Sequence, residues 1–476
     1  MDYRNFIASV WEETGDSAAN VNPSDLSDIL GYAARGSAAE ADRAVAAARA
    51  AAPGWATSTP QQRFDALDFV GTELLARKDE LGRLLAREEG KTLPEGVGEV
   101  TRAGQIFKFF AGEALRPGGE LVPSVRAGVG IEITRAPVGV VGLITPWNFP
   151  IAIPAWKVAP ALAYGNTVVL KPAELVPGCA HALAEILSRS GLPEGVFNLV
   201  LGPGSEVGQR LVDHPDVDAI SFTGAQSTGR GIAQTCATML KKVQLEMGGK
   251  NPMVVLDDAD LEVAAAATLN GAFFSTGQRC TASSRLIVTQ GVYDKFVELL
   301  TERVSALRVG HALDPETQIG PAVDARQLSQ NLEYLEIARH EGGEVIGGDR
   351  VKASTEGHFM APALVTGTTN AMRLNCEEVF GPIAGVIRVQ DYDEALSVAN
   401  ETEFGLSAGI CTTSLKHAAH FKAHAEAGMV MVNLPTAGVD YHVPFGGIKG
   451  SSFGPREQGR HAAEFYTRVK TAYTLP

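Results

Sequence analysis

Apolar residues recur at helical spacing through the first quarter of the chain. Residues 38–51 are rich in alanine, with charges at Glu40, Asp42, Arg43 and Arg49, and read as a helix with one exposed face. Residues 63–89 carry Phe64, Leu67, Val70, Leu74, Leu75, Leu81, Leu84 and Leu85 at that spacing. Residues 99–114 repeat it through Ile106, Phe107, Phe109 and Phe110. Helices are therefore expected to dominate this quarter. Between 118 and 134, small, apolar and charged residues alternate between glycines, the pattern of a two-stranded hairpin. Nearly continuous apolar runs follow at 138–144, 166–170, 197–201, 219–222 and 243–245, with helical stretches at 156–164 and 180–189. Runs without polar alternation are buried on both faces, so this rhythm predicts a parallel sheet covered by helices. It restarts beyond Pro252, with strands at 253–256, 285–289, 384–389 and 429–433 and helices from Leu261 and over 294–307. A second α/β domain is expected, with its boundary near Gly248 and Gly249. The tail, 465–475, alternates without helix signals and is expected to add a strand to another subunit's sheet.

A chain of 476 residues exceeds one ordinary core and implies two or three domains. Its net charge of −14 argues against nucleic-acid binding. The start, Met1-Asp2-Tyr3-Arg4-Asn5-Phe6, shows no basic segment leading into an apolar one, and no apolar run reaches membrane-spanning length. The expectation is a cytoplasmic protein with no membrane partner. Five scattered cysteines (Cys179, Cys236, Cys280, Cys376, Cys411) form no CxxC pair, so neither a disulfide framework nor a metal site is expected.

The chemistry concentrates in a few glycine-flanked segments. Leu245-Glu246-Met247-Gly248-Gly249-Lys250-Asn251-Pro252 carries a carboxylate at the end of an apolar strand, and Gly277-Gln278-Arg279-Cys280 carries a thiol. A thiolate is a strong nucleophile, and a carboxylate can activate the water that releases what it captures. Arg279 either helps that thiolate or points to solvent. Gly202-Pro203-Gly204-Ser205-Glu206-Val207-Gly208 is one residue too long for a dinucleotide fingerprint and reads first as a strand-to-helix turn. Phe222-Thr223-Gly224-Ala225-Gln226-Ser227-Thr228-Gly229 follows a strand and opens a helix, whose free N–H groups suit a phosphate. Gly224 would admit close backbone approach, and Gly229 close helix packing.

With Pro146-Trp147-Asn148-Phe149-Pro150, these segments resemble the aldehyde dehydrogenase superfamily over nearly the whole chain. The resemblance implies a Rossmann-like cofactor domain (1–114 and 135–247) and an α/β catalytic domain (248–447). It adds a small β oligomerisation extension (115–134 and 458–476), through which relatives form homodimers or homotetramers. It makes Cys280 the nucleophile and Glu246 the base for thioester hydrolysis. Asn148, with the Cys280 N–H, becomes the oxyanion donor. The cofactor it implies is NAD, with NADP as the alternative, bound through Thr145, Trp147, Lys171, Glu174, Gly224, Ala225, Gly229, Glu378 and Phe380. Relatives usually have serine at the position of Ala225, which removes one hydroxyl contact to the pyrophosphate. Glu378 and Phe380 lie in Glu377-Glu378-Val379-Phe380-Gly381-Pro382. Ser452, in the Pro444–Ser452 segment, stands where glycine is common, a difference read as structural.

Glu174 would accept from a free ribose 2′-hydroxyl and repel a 2′-phosphate, which favours NAD. A cysteine hydrolase would want an activating histidine, and none sits in a recognisable motif. Coenzyme-A-acylating relatives lack the glutamate of position 246. Residues 147–157 and 433–447 are most similar to bacterial 2-oxoglutarate semialdehyde (2,5-dioxovalerate) dehydrogenases. Many succinate semialdehyde dehydrogenases carry an arginine where this chain has Trp156, a natural partner for a carboxylate. What would grip an acid end here is left open, and an aromatic or aliphatic aldehyde is the alternative. Trp156 could also help to cage a cation such as betaine aldehyde.

Overall fold

The computed structural model describes residues 2–116 and 118–476. The helical periodicity of the first quarter becomes four helices, Ala38–Ala56, Pro60–Ala76, Lys78–Glu89 and Leu93–Ala114. Ser37 with Glu40, and Thr59 with Gln62, form reciprocal capping boxes at the first two starts. The expected single helix over 63–89 is broken at Arg77. Its apolar stripe skips a turn between Leu75 and Leu81, and the Arg77 guanidinium turns aside to Glu80 and Glu185. A larger correction concerns residues 2–34, which are strands. Asp2–Tyr3, Asp25–Ala34 and Ser17–Asn22 form a small sheet, while Asn5–Ile7 and Val10–Glu12 extend the large one.

The large sheet has eight strands. Five are parallel, in the spatial order Lys242–Glu246, Ala219–Thr223, Val140–Ile144, Thr167–Lys171 and Phe197–Leu199. Antiparallel strands close both sides: Ser452–Phe453 beside Lys242–Glu246, and Asn5–Ile7 beside Phe197–Leu199. Starting from Val140–Ile144, the next two strands in sequence lie on one side and the following two on the other. That reversal opens a crevice at the carboxyl ends of the strands.

The chain passes to a second sheet between Glu246 and Asn251. Its seven strands run in the order Glu344–Gly347, Ala363–Thr368, Ile383–Val389, Ser283–Thr289, Asn251–Val255, Ser407–Cys411 and Met429–Val432, parallel except for the first. A third sheet joins Gly119–Pro123 and Gly130–Pro137 to the tail strand Thr467–Thr474. The tail pairs with the hairpin of its own chain, Thr467 opposite Pro137 through Thr474 opposite Gly130, and forms the edge of that sheet. Among the described residues no helix is long and apolar enough to cross a membrane, and no group of three or more His, Cys, Asp or Glu could hold a metal.

Candidate active site

Cys280 lies where the nucleophile loop meets the strand Ser283–Thr289. Ser275, Thr276 and Gly277 just before it all have positive φ (51°, 56° and 64°). Such backbone persists only where its surroundings over-determine it. Glu95 supplies that constraint: its Oε1 accepts from Ser275 N at 2.8 Å and from Arg279 Nη2 at 3.2 Å. Arg279 thus turns inward rather than to solvent and clamps the loop, with its charge also acting on Cys280. The backbone N–H groups of Cys280 and Thr281 favour the ionised form of the Cys280 thiol. Burial, and then the carboxylates of Glu378 and Glu246, outweigh those donors and push its pKa up to about 12. In the cofactor-free protein the thiol is therefore protonated at neutral pH. Iodoacetamide alkylation of Cys280, measured in a Cys376→Ser background to remove the exposed thiol, is expected to rise about tenfold per pH unit from 7 to 10. A plateau below pH 9 would show a thiolate already stabilised.

Asn148 is buried against this loop, its Nδ2 donating to Gln278 O at 3.0 Å. Its own carbonyl accepts from Lys91 Nζ, which also pairs with Glu99 Oε2 at 2.8 Å. Glu99 Oε1 in turn accepts from the N–H groups of Ile151 and Ala152. Glu95 and Glu99, on the first two turns of Leu93–Ala114, therefore anchor the two loops that carry Cys280 and Asn148. The sequence reading missed this network, although Lys91, Glu95 and Glu99 lie at four-residue intervals there.

Glu246 ends its strand, buried, with Oε2 accepting from Ser452 Oγ at 2.6 Å. Ser452 Oγ accepts in turn from Gly447 N. The serine that replaces a common glycine is thus a direct partner of the carboxylate, which corrects its reading as merely structural. Burial first, and Glu457 second, raise the Glu246 pKa well above the ordinary carboxyl range. Glu457 bonds Lys157 Nζ, which also donates to Ser221 Oγ at 2.7 Å. This buried pair too was missed, although Lys157 is a lone lysine in an otherwise apolar helix, Ala152–Ala163.

Glu378 closes the cluster. Its Oε1 accepts from Gly249 N at 3.0 Å, and any side chain at position 248 would run into its carboxylate. Burial raises its pKa to about 7. Phe380, at φ 62°, meets Trp147 edge to face, with ring centroids 5.4 Å apart.

Thr145, Lys171 and Gly224 lie at the carboxyl ends of three adjacent strands lining that crevice. The buried hydroxyls of Thr145 and Thr223 have no partner among the described residues. Lys171 is buried, which lowers its pKa, and among the described residues no hydrogen bond holds its ammonium. Ala225 begins the helix Gln226–Thr238 without a side-chain cap. A Cβ at Gly229 would come within 2.5 Å of Met247 Sδ, so this glycine serves helix–strand packing. Glu174 Oε1 accepts from Gly204 N at 3.2 Å, which brings the Gly202–Gly208 segment to the same crevice. Free donors, a lone ammonium and an uncapped helix start fit a dinucleotide phosphate chain.

A cavity of about 300 Å³ opens beside Cys280, bounded by Phe149, Trp156, Phe445 and Val439. That size suits a small molecule. The Trp156 ring meets Phe445 (centroids 5.3 Å apart), and the Arg102 guanidinium lies 5.7 Å from its centroid.

The Aldehyde dehydrogenase family matches residues 11–472 of this chain. The chain is 44% identical over 480 residues to the alpha-ketoglutaric semialdehyde dehydrogenase of Bacillus subtilis (strain 168), covering 100% of this chain and 98% of that protein. It is also 44% identical over 476 residues to the alpha-ketoglutarate semialdehyde dehydrogenase of Haloferax volcanii, covering 99% and 98%. Among solved structures, betaine aldehyde dehydrogenase from Staphylococcus aureus in complex with NAD+ superposes with a TM-score of 0.97 at 33% identity, over 99% of this chain and 95% of that one. With the expected α/β architecture present throughout, this chain belongs to the aldehyde dehydrogenase family.

Proposed function

We propose that this aldehyde dehydrogenase oxidises 2-oxoglutarate semialdehyde to the dicarboxylic acid, with NAD in preference to NADP. The observation that carries the reading is the convergence of Cys280, Asn148, Glu246 and Glu378 between the small cavity and the strand-end crevice. The Cys280 thiol gives up its proton to solvent, and the thiolate attacks the aldehyde carbon, forming a thiohemiacetal alkoxide. The second Nδ2 hydrogen of Asn148 has no acceptor among the described residues and, with the Cys280 N–H, serves the alkoxide oxygen. A bound nicotinamide dinucleotide supplies the acceptor for the hydride that the thiohemiacetal must lose to become a thioester. Glu246, once ionised, takes a proton from the water that attacks this thioester, and the acid leaves Cys280 free.

Thr145, Trp147, Lys171, Glu174, Gly224, Ala225, Gly229, Glu378 and Phe380 would hold the cofactor, with Glu174 disfavouring a 2′-phosphate. Residues 1–114 and 135–247 act as its domain and 248–447 as the catalytic one. The hairpin and tail, 115–134 and 458–476, with Leu121, Val469 and Tyr473 exposed, serve assembly into a cytoplasmic homodimer or homotetramer. The substrate follows the two 44%-identical relatives and the small, acid-compatible cavity.

The test is reduced-cofactor production from 2-oxoglutarate semialdehyde, succinate semialdehyde, benzaldehyde and hexanal, each with NAD and NADP, and Cys280→Ala as the blank. The C5 acid is expected to lead in kcat/KM by tenfold or more, about 1.4 kcal/mol of transition-state preference. A lead for benzaldehyde or hexanal would retain the mechanism and overturn the substrate.

A further inference from the structure

Three cations line the cavity beside Cys280: Lys91, Arg279 and Arg102. Two are already neutralised, Lys91 by Glu99 at 2.8 Å and Arg279 by Glu95 at 3.2 Å. Arg102 pairs with no carboxylate among the described residues. Its Nη2 donates to Gln458 Oε1 at 3.2 Å, while its Nε is buried with no acceptor. Glu99 and Asp440 lie in its field without touching it. Beside it, the indole N–H of Trp156, a residue only 5% exposed, is likewise buried with no acceptor.

A half-buried guanidinium without an anion is a costly arrangement, and its buried Nε–H without an acceptor adds to the cost. Both deficits lie in the wall of one cavity whose other walls are largely apolar. The guanidinium lines the cavity with Gln458 as its one hydrogen-bond partner among the described residues, so a ligand carboxylate in the cavity would supply the missing anion. The helix Leu93–Ala114 explains the placement: Glu95, Gly98, Glu99 and Arg102 recur at intervals of three and four and share one face. The helix that registers the nucleophile loop thus also carries a free cation to the substrate space.

We propose that Arg102 determines the specificity of this cavity. Its guanidinium, steadied by Gln458 and stacked on Trp156, takes the far carboxylate of an ω-oxo acid whose aldehyde carbon is presented to Cys280. The assignment rests on the reading of this site as a semialdehyde dehydrogenase. It answers what replaces the arginine that Trp156 displaces, since the charge arrives from a different helix. It also sets this cavity against quaternary ammonium aldehydes, which would meet an unneutralised cation.

The experiment compares kcat/KM for 2-oxoglutarate semialdehyde and for pentanal, a neutral aldehyde of equal chain length, in wild type, Arg102→Leu and Arg102→Lys. Competitive inhibition by glutarate, which cannot react, is measured on the same proteins. Arg102→Leu is expected to lower the acid-to-neutral ratio on the order of a hundredfold, mostly through KM, and to abolish glutarate inhibition. Lysine restores part of both, as a charge without the fork. A ratio that survives in Arg102→Leu overturns the assignment while the substrate reading stands. Equal losses for both aldehydes overturn it as well, by showing a role in the fold. A wild type with no preference for the acid overturns the substrate reading beneath it.

Discussion

Glu246→Gln is expected to yield one equivalent of reduced cofactor per active site and then to turn over 10²- to 10⁴-fold more slowly, the range for losing a general base, ~3–5 kcal/mol of barrier. Glutamine preserves the shape of the strand end and a hydrogen bond with Ser452, but it cannot take a proton. Cys280 still attacks and the thioester still forms; only water activation is lost. Rapid-mixing absorbance should show a full burst followed by a nearly flat line. A missing burst would place Glu246 before the thioester, and near-normal turnover would assign the base elsewhere. The pH dependence has a definite sign. Burial and Glu457 hold the Glu246 carboxyl protonated beyond the usual carboxylate range, and only its ionised form accepts a proton. Thioester hydrolysis in the wild type therefore climbs as pH rises through that raised pKa. The Ser452 hydrogen bond favours the ionised form, so Ser452→Ala should move the rising limb to higher pH.

Lys91→Met is expected to cost about 3–5 kcal/mol of stability, the usual penalty for breaking a buried ion pair from one side. Both side chains of the Lys91–Glu99 pair are only 2% exposed, so the stranded carboxylate has no access to water. Activity should fall with stability, because Lys91 also holds the Asn148 carbonyl and Glu99 orders the turn at Ile151 and Ala152. The paired variant Lys91→Met with Glu99→Leu separates the two effects. Denaturant midpoints should recover, since replacing a whole buried pair with apolar groups is often neutral, while kcat should not. Loss of less than about 0.5 kcal/mol in the single variant, the range of an ordinary surface change, would refute the anchoring role.

The parallel strands of the large sheet were legible because their residues are buried on both faces and so form unbroken apolar runs. Other elements carried weaker signals. Ser407–Cys411 is paired on both sides in the second sheet but consists mostly of small residues. A Cβ at Gly409 would approach Met253 Cε to 2.8 Å, so the strand packs closely there. The strands of residues 2–34 are short or mix polar with apolar positions, so no single period identified them. At the site, Cys280, Glu246 and Asn148 announced themselves through glycine- and proline-flanked motifs. Their supports did not, because each is half of a distant pair: Lys157 and Glu457 stand 300 residues apart in sequence. A lysine in an apolar helix shows that a partner must exist, but only the fold shows which acid it is. Ser452 was noticed for the glycine it replaces, and its value became apparent only opposite Glu246.

The shared anchorage on the Leu93–Ala114 helix has a mechanical consequence. Glu95 and Glu99 project from neighbouring turns of one rigid rod, one tethering the Cys280 loop and the other the Asn148 loop. Any drift or rocking of that rod carries both loops the same way. Such a displacement is common to the two and cancels in their difference. The gap in which the carbonyl must fit stays constant while the scaffold around it breathes.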